Sequence, residues 1–253
     1  MIVSHSHEFV FVKTKKTAGT SIEVFLAQHC SDGDVVTPVG VEPETRDHRP
    51  RNYRGIVNPF PEAAGLVTAS SQWRQVDGGG VLKSFGHLIK RKRFYNHIPA
   101  YRIQHRLGRD RWQRYASFAV ERNPWDKALS QFYWKARRRP GYTFEQFVAD
   151  GDVGINYPRY CSPVSGDIMV DTIIYFHALD AGLSSMCEQV GVPFPGSLPV
   201  RAKASTRTNR APYQDLFRTE LAPFRAAIDE LFAVEIELHG WDFASGLPTR
   251  SLD

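Results

Sequence analysis

Four consecutive apolar residues, Phe9, Val10, Phe11 and Val12, stand near the start of the chain, ahead of a polar stretch and an amphipathic segment, Ile22 to Ala27. A short unbroken apolar run is the pattern of a strand covered on both faces, and a one-sided apolar segment opening at Thr20 or Ser21 is that of a capped helix. Read the same way, the chain predicts strands over Phe9–Lys13, Val81–Phe85, Ser117–Glu121 and Ile173–Phe176. Helices are expected over Thr20–His29, Ala100–Leu107, Trp125–Arg137, Phe144–Ala149 and Leu179–Val190. A last helix, Leu221 to Leu238, follows from Phe224, Ile228, Leu231, Phe232 and Glu235 spaced in threes and fours. Strands alternating with helices argue a single α/β domain spanning residues 1–253. Between Ser31 and Gly80 the pattern lapses into Pro- and Gly-containing sequence ending in three glycines, Gly78 to Gly80. So long an excursion reads either as a variable insertion that covers a substrate or as a surface loop. No internal repeat is visible.

Size supports one large core rather than two domains. No run approaches the roughly 18 apolar residues of a membrane span, and Met1 to Val12 lacks the charged start and long apolar core of a signal peptide. The expectation is a cytoplasmic protein without an integral membrane segment. Cys30, Cys161 and Cys187 are too few and too scattered for a disulfide framework and read as buried free thiols. No Cys or His spacing suggests a metal site.

Charge changes the picture in one region. Lys83 to Arg139 carries 16 of the 32 Lys and Arg residues against Asp110, Glu121 and Asp126. Such a face can hold an anionic glycan, a cofactor with several phosphates, or nucleic acid. Arg102, Arg106, Arg109 and Arg114 recur at helical spacing and read as a solvated helix face.

Between the first strand and helix lies Lys16-Thr17-Ala18-Gly19-Thr20-Ser21. Backbone N–H groups of such a loop, at a helix start, point at whatever anion sits there. The order speaks against a nucleotide-triphosphate loop, whose lysine follows its second glycine and is followed by a magnesium-binding hydroxyl; here Lys16 precedes Gly19. A second anion motif is Phe118 to Lys127, followed by Leu129, Ser130, Tyr133 and Trp134. Arg122 at the strand end offers a planar fork to a phosphate, Pro124 at the helix start loses no needed N–H, and Ser130 lies eight residues after Arg122 on the helix surface.

Together these two motifs resemble the 5'-phosphosulfate loop and the 3'-phosphate motif of sulfotransferases that use 3'-phosphoadenosine 5'-phosphosulfate (PAPS), in particular the carbohydrate-type family. Lys15 stands where that family usually has Pro, and Lys127 where it commonly has Arg. The segments Gly151 to Leu183 and Tyr213 to Phe243 resemble the family more weakly, and residues 31–80 match nothing in it. The resemblance implies a P-loop-like three-layer fold with a central, mostly parallel sheet; the expected lack of a membrane segment departs from eukaryotic members, which carry an anchor, and suggests a bacterial or otherwise soluble member. It implies transfer of the sulfonyl group of PAPS to a hydroxyl acceptor, a glycan or small alcohol, without metal or nucleic acid. Lys16 and the N–H groups of Thr17, Ala18, Gly19, Thr20 and Ser21 would serve the 5'-phosphate, and Arg122 with Ser130 the 3'-phosphate. Lys203 and Arg207, beside Ser205, would belong to a late basic loop closing on the 3'-phosphate, or to an ordinary surface loop.

For the general base three residues compete. Histidine suits proton transfer near neutral pH. His97 resembles in placement, 25 positions before Arg122, the base of glycan 2-O-sulfotransferases. His87 closes the predicted strand at Val81–Phe85, and Glu23 sits where other glycan sulfotransferases place a glutamate. Trp73, Trp125 and Trp134 are candidates to stack on adenine, with Trp134 better placed for core packing. Two other readings stay open: a phosphotransferase using ATP and magnesium, and a non-catalytic binder of anionic polymer through Lys83 to Arg139.

Overall fold

A computed structural model of the chain describes residues 1–40, 45–57, 90–199 and 209–250. The predicted strand at Val81–Phe85, with His87, Trp73, Lys203, Ser205 and Arg207, lies outside the described residues.

The protein is α/β, with a five-stranded mixed sheet flanked by helices. In chain order the strands are β1 (Ile2–Ser4), β2 (Phe9–Val12), β3 (Val35–Val36), β4 (Ala116–Glu121) and β5 (Thr172–Tyr175), arranged in space as β3-β1-β2-β4-β5. β2, β4 and β5 run parallel, with Phe11 opposite Phe118 and Ala119 opposite Ile173. β1 pairs antiparallel with both β2 and β3. The helices are α1 (Gly19–Ala27), α2 (Ala100–Leu107), α3 (Arg109–Arg114), α4 (Pro124–Ala136), α5 (Phe144–Asp150), α6 (Tyr157–Tyr160), α7 (Leu179–Gln189), α8 (Tyr213–Arg218), α9 (Arg225–Leu231) and α10 (Ala233–His239).

Why β2 is apolar at every position follows from its place in the sheet. Alternate side chains leave a strand on opposite faces. Phe9 and Phe11 enter a layer with Phe25 and Leu26 of α1 and Leu183 and Met186 of α7. Val10 and Val12 enter the opposite layer, with Ile103 and Leu107 of α2 and Trp112 of α3. All four are at most 1% exposed, and each such side chain contributes about 1.5–3 kcal/mol by burial. Phe11 stacks on Phe118 across the β2–β4 pair, with ring centroids 5.1 Å apart. A third cluster, built on Trp125, Phe144, Phe147, Phe217 and Phe232, joins α4 and α5 to the C-terminal helices.

Several expectations need correction. β1 and β3 were not legible, being two or three residues long and defined by their partners. β3 lies inside the predicted insertion, so Ser31 onward contributes an edge strand, and Val36 also bridges to Arg51. The single helix expected from Leu221 to Leu238 is divided: a 3-10 turn at Ala222–Phe224 precedes α9, and Phe232 (φ −102°, ψ 10°) separates α9 from α10. That break lets Phe232 bury while Glu235 and His239 turn into the protein, each fully buried. Arg102 and Arg106 do not form a solvated face: both are buried, Arg102 donating to the Tyr95 hydroxyl and Arg106 to the Arg93 carbonyl.

Candidate anion-binding cleft and active site

The three parallel strands end at one cleft. Thr14 to Ser21 follow β2, Arg122 follows β4, and Phe176 and His177 follow β5; all line a cavity of about 1070 Å³. A crevice beyond the carboxyl ends of parallel strands is where open α/β sheets bind ligands. The volume reaches the top of the range of about 300–1,000 Å³ for small-molecule sites.

The loop after β2 combines left-handed backbone with an uncapped helix start. Lys16 and Ala18 adopt left-handed backbone conformations (φ 61° and 57°), unusual for side-chain-bearing residues. Alternating conformations of this kind turn successive N–H groups toward one concavity. Ala18 is the N-cap of α1 and provides no side-chain cap, and the first turn holds no acid, so the positive end of the helix is left for a ligand. Thr17 is fully buried, its hydroxyl 2.7 Å from that of Thr14, which donates to the Val120 carbonyl. Its side chain therefore fixes the loop rather than meeting a ligand. Gly19 is required by packing: a Cβ there would lie 2.8 Å from Lys13 Cγ and 3.3 Å from the Thr14 carbonyl oxygen. Lys16 reaches over the indole of Trp134, its Nζ 5.7 Å from the ring centroid.

Arg122 faces this loop from the end of β4. Its Nη1 donates to the Lys16 carbonyl (3.1 Å), while Nε and Nη2 donate to Asp126 Oδ2 one turn into α4. Phe176 lies under the guanidinium at 4.4 Å. Three of the five N–H donors of a guanidinium are thus committed, leaving two for an anion. α4 starts as predicted: the Asn123 side chain accepts from Asp126 N and Pro124 occupies the first turn. Ser130 also lines the cleft.

His97 stands on the same cleft, in a left-handed conformation (φ 59°). Its Nδ1 is 3.2 Å from the Lys13 carbonyl oxygen. A carbonyl can only accept, so Nδ1 carries the proton and Nε2 keeps its lone pair. Burial first, then the nearby Lys13 and Arg159 charges, hold its pKa well below the ordinary histidine value. Arg159 braces it by donating to the His97 carbonyl.

Glu23, the third candidate base, is placed elsewhere. It is fully buried and outside the cleft lining, accepting from Lys13 Nζ (2.6 Å), the Thr37 hydroxyl (2.6 Å) and the Met1 amino group (2.7 Å). Burial alone would raise its carboxyl, but the Met1 and Lys13 charges outweigh that and hold it below the usual range. A fully buried carboxylate that takes three donors outside the cleft lining supports Lys13 rather than a substrate. The tryptophans also exchange roles: Trp134 is on the cleft, between Lys16 and Arg138, while Trp125 is 2% exposed, stacked on Tyr213 and bonded to Asp229. Lys127 is a buried ion bridging Glu121 and Glu235 rather than a ligand contact.

Sequence reasoning missed several lining residues. Phe176 and His177 could have been found as the residues after a parallel strand. Asp152, ion-paired to Lys15 (2.9 Å), and Asn96 beside His97 carried no local signal. Among the described residues no cluster of His, Cys, Asp or Glu has metal-ligand geometry, and no helix is long and apolar enough to cross a membrane.

Comparison with known proteins adds little to this geometry. No protein-family model matches the chain. A solved sulfotransferase from Alicyclobacillus acidocaldarius is similar over 88% of this chain and 94% of its own, at 16% identity and a TM-score of 0.38, a level that carries no weight for fold or function. An uncharacterized protein of Archaeoglobus fulgidus is 29% identical over 101 residues, which is 38% of this chain and 84% of that protein.

Proposed function

We propose that this protein is a PAPS-dependent sulfotransferase acting on a hydroxyl acceptor, a carbohydrate or polysaccharide being favoured by the glycan-type loop sequence. The observation that carries the reading is the meeting of two anion sites in one cleft. The loop Lys16 to Ser21 at the start of α1 and the guanidinium of Arg122 are joined by the Arg122–Lys16 hydrogen bond. A ligand with two separate phosphates fits that arrangement, and the donors present are N–H groups and cations suited to phosphate.

When bound, PAPS supplies the sulfonyl group and leaves as adenosine 3',5'-bisphosphate. Lys16 and the loop N–H groups oppose the negative charge that grows on the leaving phosphate oxygen. Arg122 and Ser130 would hold the 3'-phosphate, and Lys203 and Arg207 would add contacts if their basic loop closes on it. His97 Nε2 accepts the proton of the acceptor hydroxyl as its oxygen attacks. Nδ1, held by the Lys13 carbonyl, keeps the ring in the basic tautomer and aimed. His87 is the alternative base.

The test is calorimetric titration with adenosine 3',5'-bisphosphate beside ATP plus magnesium. Binding of the bisphosphate alone, abolished in Lys16→Ala and in Arg122→Ala with the fold retained, is the expected result. Binding of ATP and magnesium alone would move the phosphotransferase reading to first place.

A further inference from the structure

We propose that Asn156 is the positioning residue of the phosphate loop, its side-chain amide clamping Lys15 from both sides and tying the loop to the strand end that carries Arg122. The inference rests on the cleft reading above for its ligand but on geometry alone for the clamp.

Asn156 is fully buried. Its Oδ1 accepts from Lys15 N at 2.7 Å, and its Nδ2 donates to the Lys15 carbonyl at 3.0 Å. One amide thus pairs with one residue as a neighbouring strand would, just where β2 has ended and the chain is about to enter the left-handed conformation at Lys16. Left-handed residues persist only where their surroundings over-determine them. Lys15 is fixed by Asn156, the Lys16 carbonyl by Arg122, and Thr17 by Thr14.

The clamp is itself immobilised. Asn156 Nδ2 also lies 3.2 Å from Glu121 Oε1, and the Asn156 backbone N–H donates to Glu235. Glu121 Oε1 accepts from Lys127 Nζ and from the Arg122 backbone N–H (2.8 Å). A single carboxylate oxygen therefore contacts both the residue that fixes the phosphate loop and the backbone of the arginine across the cleft. Both anion sites take their register from one buried polar cluster, and a displacement of Asn156 would change their separation.

Two readouts test this: hydrogen exchange of the backbone amides from Lys15 to Ser21 in the unliganded protein, and titration with adenosine 3',5'-bisphosphate. The variants are Asn156→Ala, Asn156→Asp, which keeps an acceptor but loses the donations, and Tyr160→Phe. The last removes the 2.8 Å bond from the Tyr160 hydroxyl to Glu121 Oε2 without touching Lys15. Both Asn156 variants should speed loop exchange and weaken the bisphosphate about tenfold below their melting temperatures, the scale of lost hydrogen bonds to a buried group. Tyr160→Phe should lower the melting temperature alone. Loop exchange and affinity in the Asn156 variants that match the Tyr160→Phe control would overturn the proposal. So would solvent-rate exchange of the Lys15 amide in the unaltered protein, a result that needs no folded variant. Failure of the unaltered protein to bind the bisphosphate would instead count against the sulfotransferase reading, with the exchange measurement still deciding the clamp.

Discussion

His97 meets the cleft as a neutral imidazole whose proton sits on Nδ1, because Lys13 offers that nitrogen a carbonyl. Its depressed pKa sets a pH signature. A base must be unprotonated, so turnover should hold constant through neutral pH and fall only when acidification reaches values well below 6.5. A pH–rate profile with its acid limb at or above 6.5 would transfer the base role away from His97. His97→Ala should keep bisphosphate affinity and lose turnover; normal turnover in that variant would leave His87. At Gly19 the expectation concerns packing. Lys13 is buried and held by Glu23, so it cannot swing aside from the Cβ that Gly19→Ala introduces. The loop must shift, at a cost of about 1–3 kcal/mol, and chemical denaturation should register it together with weakened bisphosphate binding.

Among the elements, the two strand–helix pairs that lead into the cleft are the most legible. A buried strand and the helix after it announce themselves within a dozen residues, through an apolar run and one-sided periodicity; the cap expected at Thr20 or Ser21 is not formed, since α1 starts at Gly19 behind an uncapped Ala18. β2 with α1, and β4 with α4, lie within two residues of their expected bounds for that reason. Edge strands and helix breaks depend on partners distant in sequence. β1 exists because Ile2 and Val3 find both Phe11 and Val10 on one side and Val36 and Val35 on the other. The break at Phe232 brings Glu235 to Lys127, which periodicity alone assigned to a continuous helix. That contact yields a test of α4 and α10 together. Lys127→Met leaves two buried carboxylates without their cation and should cost about 3–5 kcal/mol in urea denaturation. Replacing Glu121 and Glu235 by Gln in the same protein should recover much of it, since the uncompensated charge goes with them.

Across the whole molecule, buried titratable groups set the response to pH. His97 and His239 are both lowered by burial, His239 to about 4, and His5, His29 and His48 also lie below 6.5 for the same first cause. For each, the unfolded chain binds the proton more readily, so stability is fully present above about pH 6.5 and is lost as pH falls through the folded value. Glu235 works in the opposite sense: burial pushes it up to about 7, and its contribution is present below about pH 4.5 and lost as pH rises through 7. Among the described residues, five histidines and the Met1 amino group, which burial lowers to about 5, oppose the raised Glu235 and predict a melting temperature that falls from pH 7 toward pH 4, checked by thermal melts across that range. A melting temperature that rose on acidification would show that Glu235 dominates.

The sequence by itself determined an α/β chain with a glycine-containing loop and helix after one buried strand and an arginine followed by a helix after another. Both are local patterns, in which a few adjacent residues must satisfy backbone hydrogen bonding, helix capping and burial at once. Only the tertiary structure decided what those residues face. It set Lys16, Arg122 and His97 on one cleft, withdrew Glu23 into a buried ion pair, put Trp134 rather than Trp125 on the cleft lining and brought Asn156 across 141 positions to hold Lys15. Such pairings are absent from local sequence because they arise when separate segments bury their polar groups against one another, where each donor must find an acceptor wherever the fold places it.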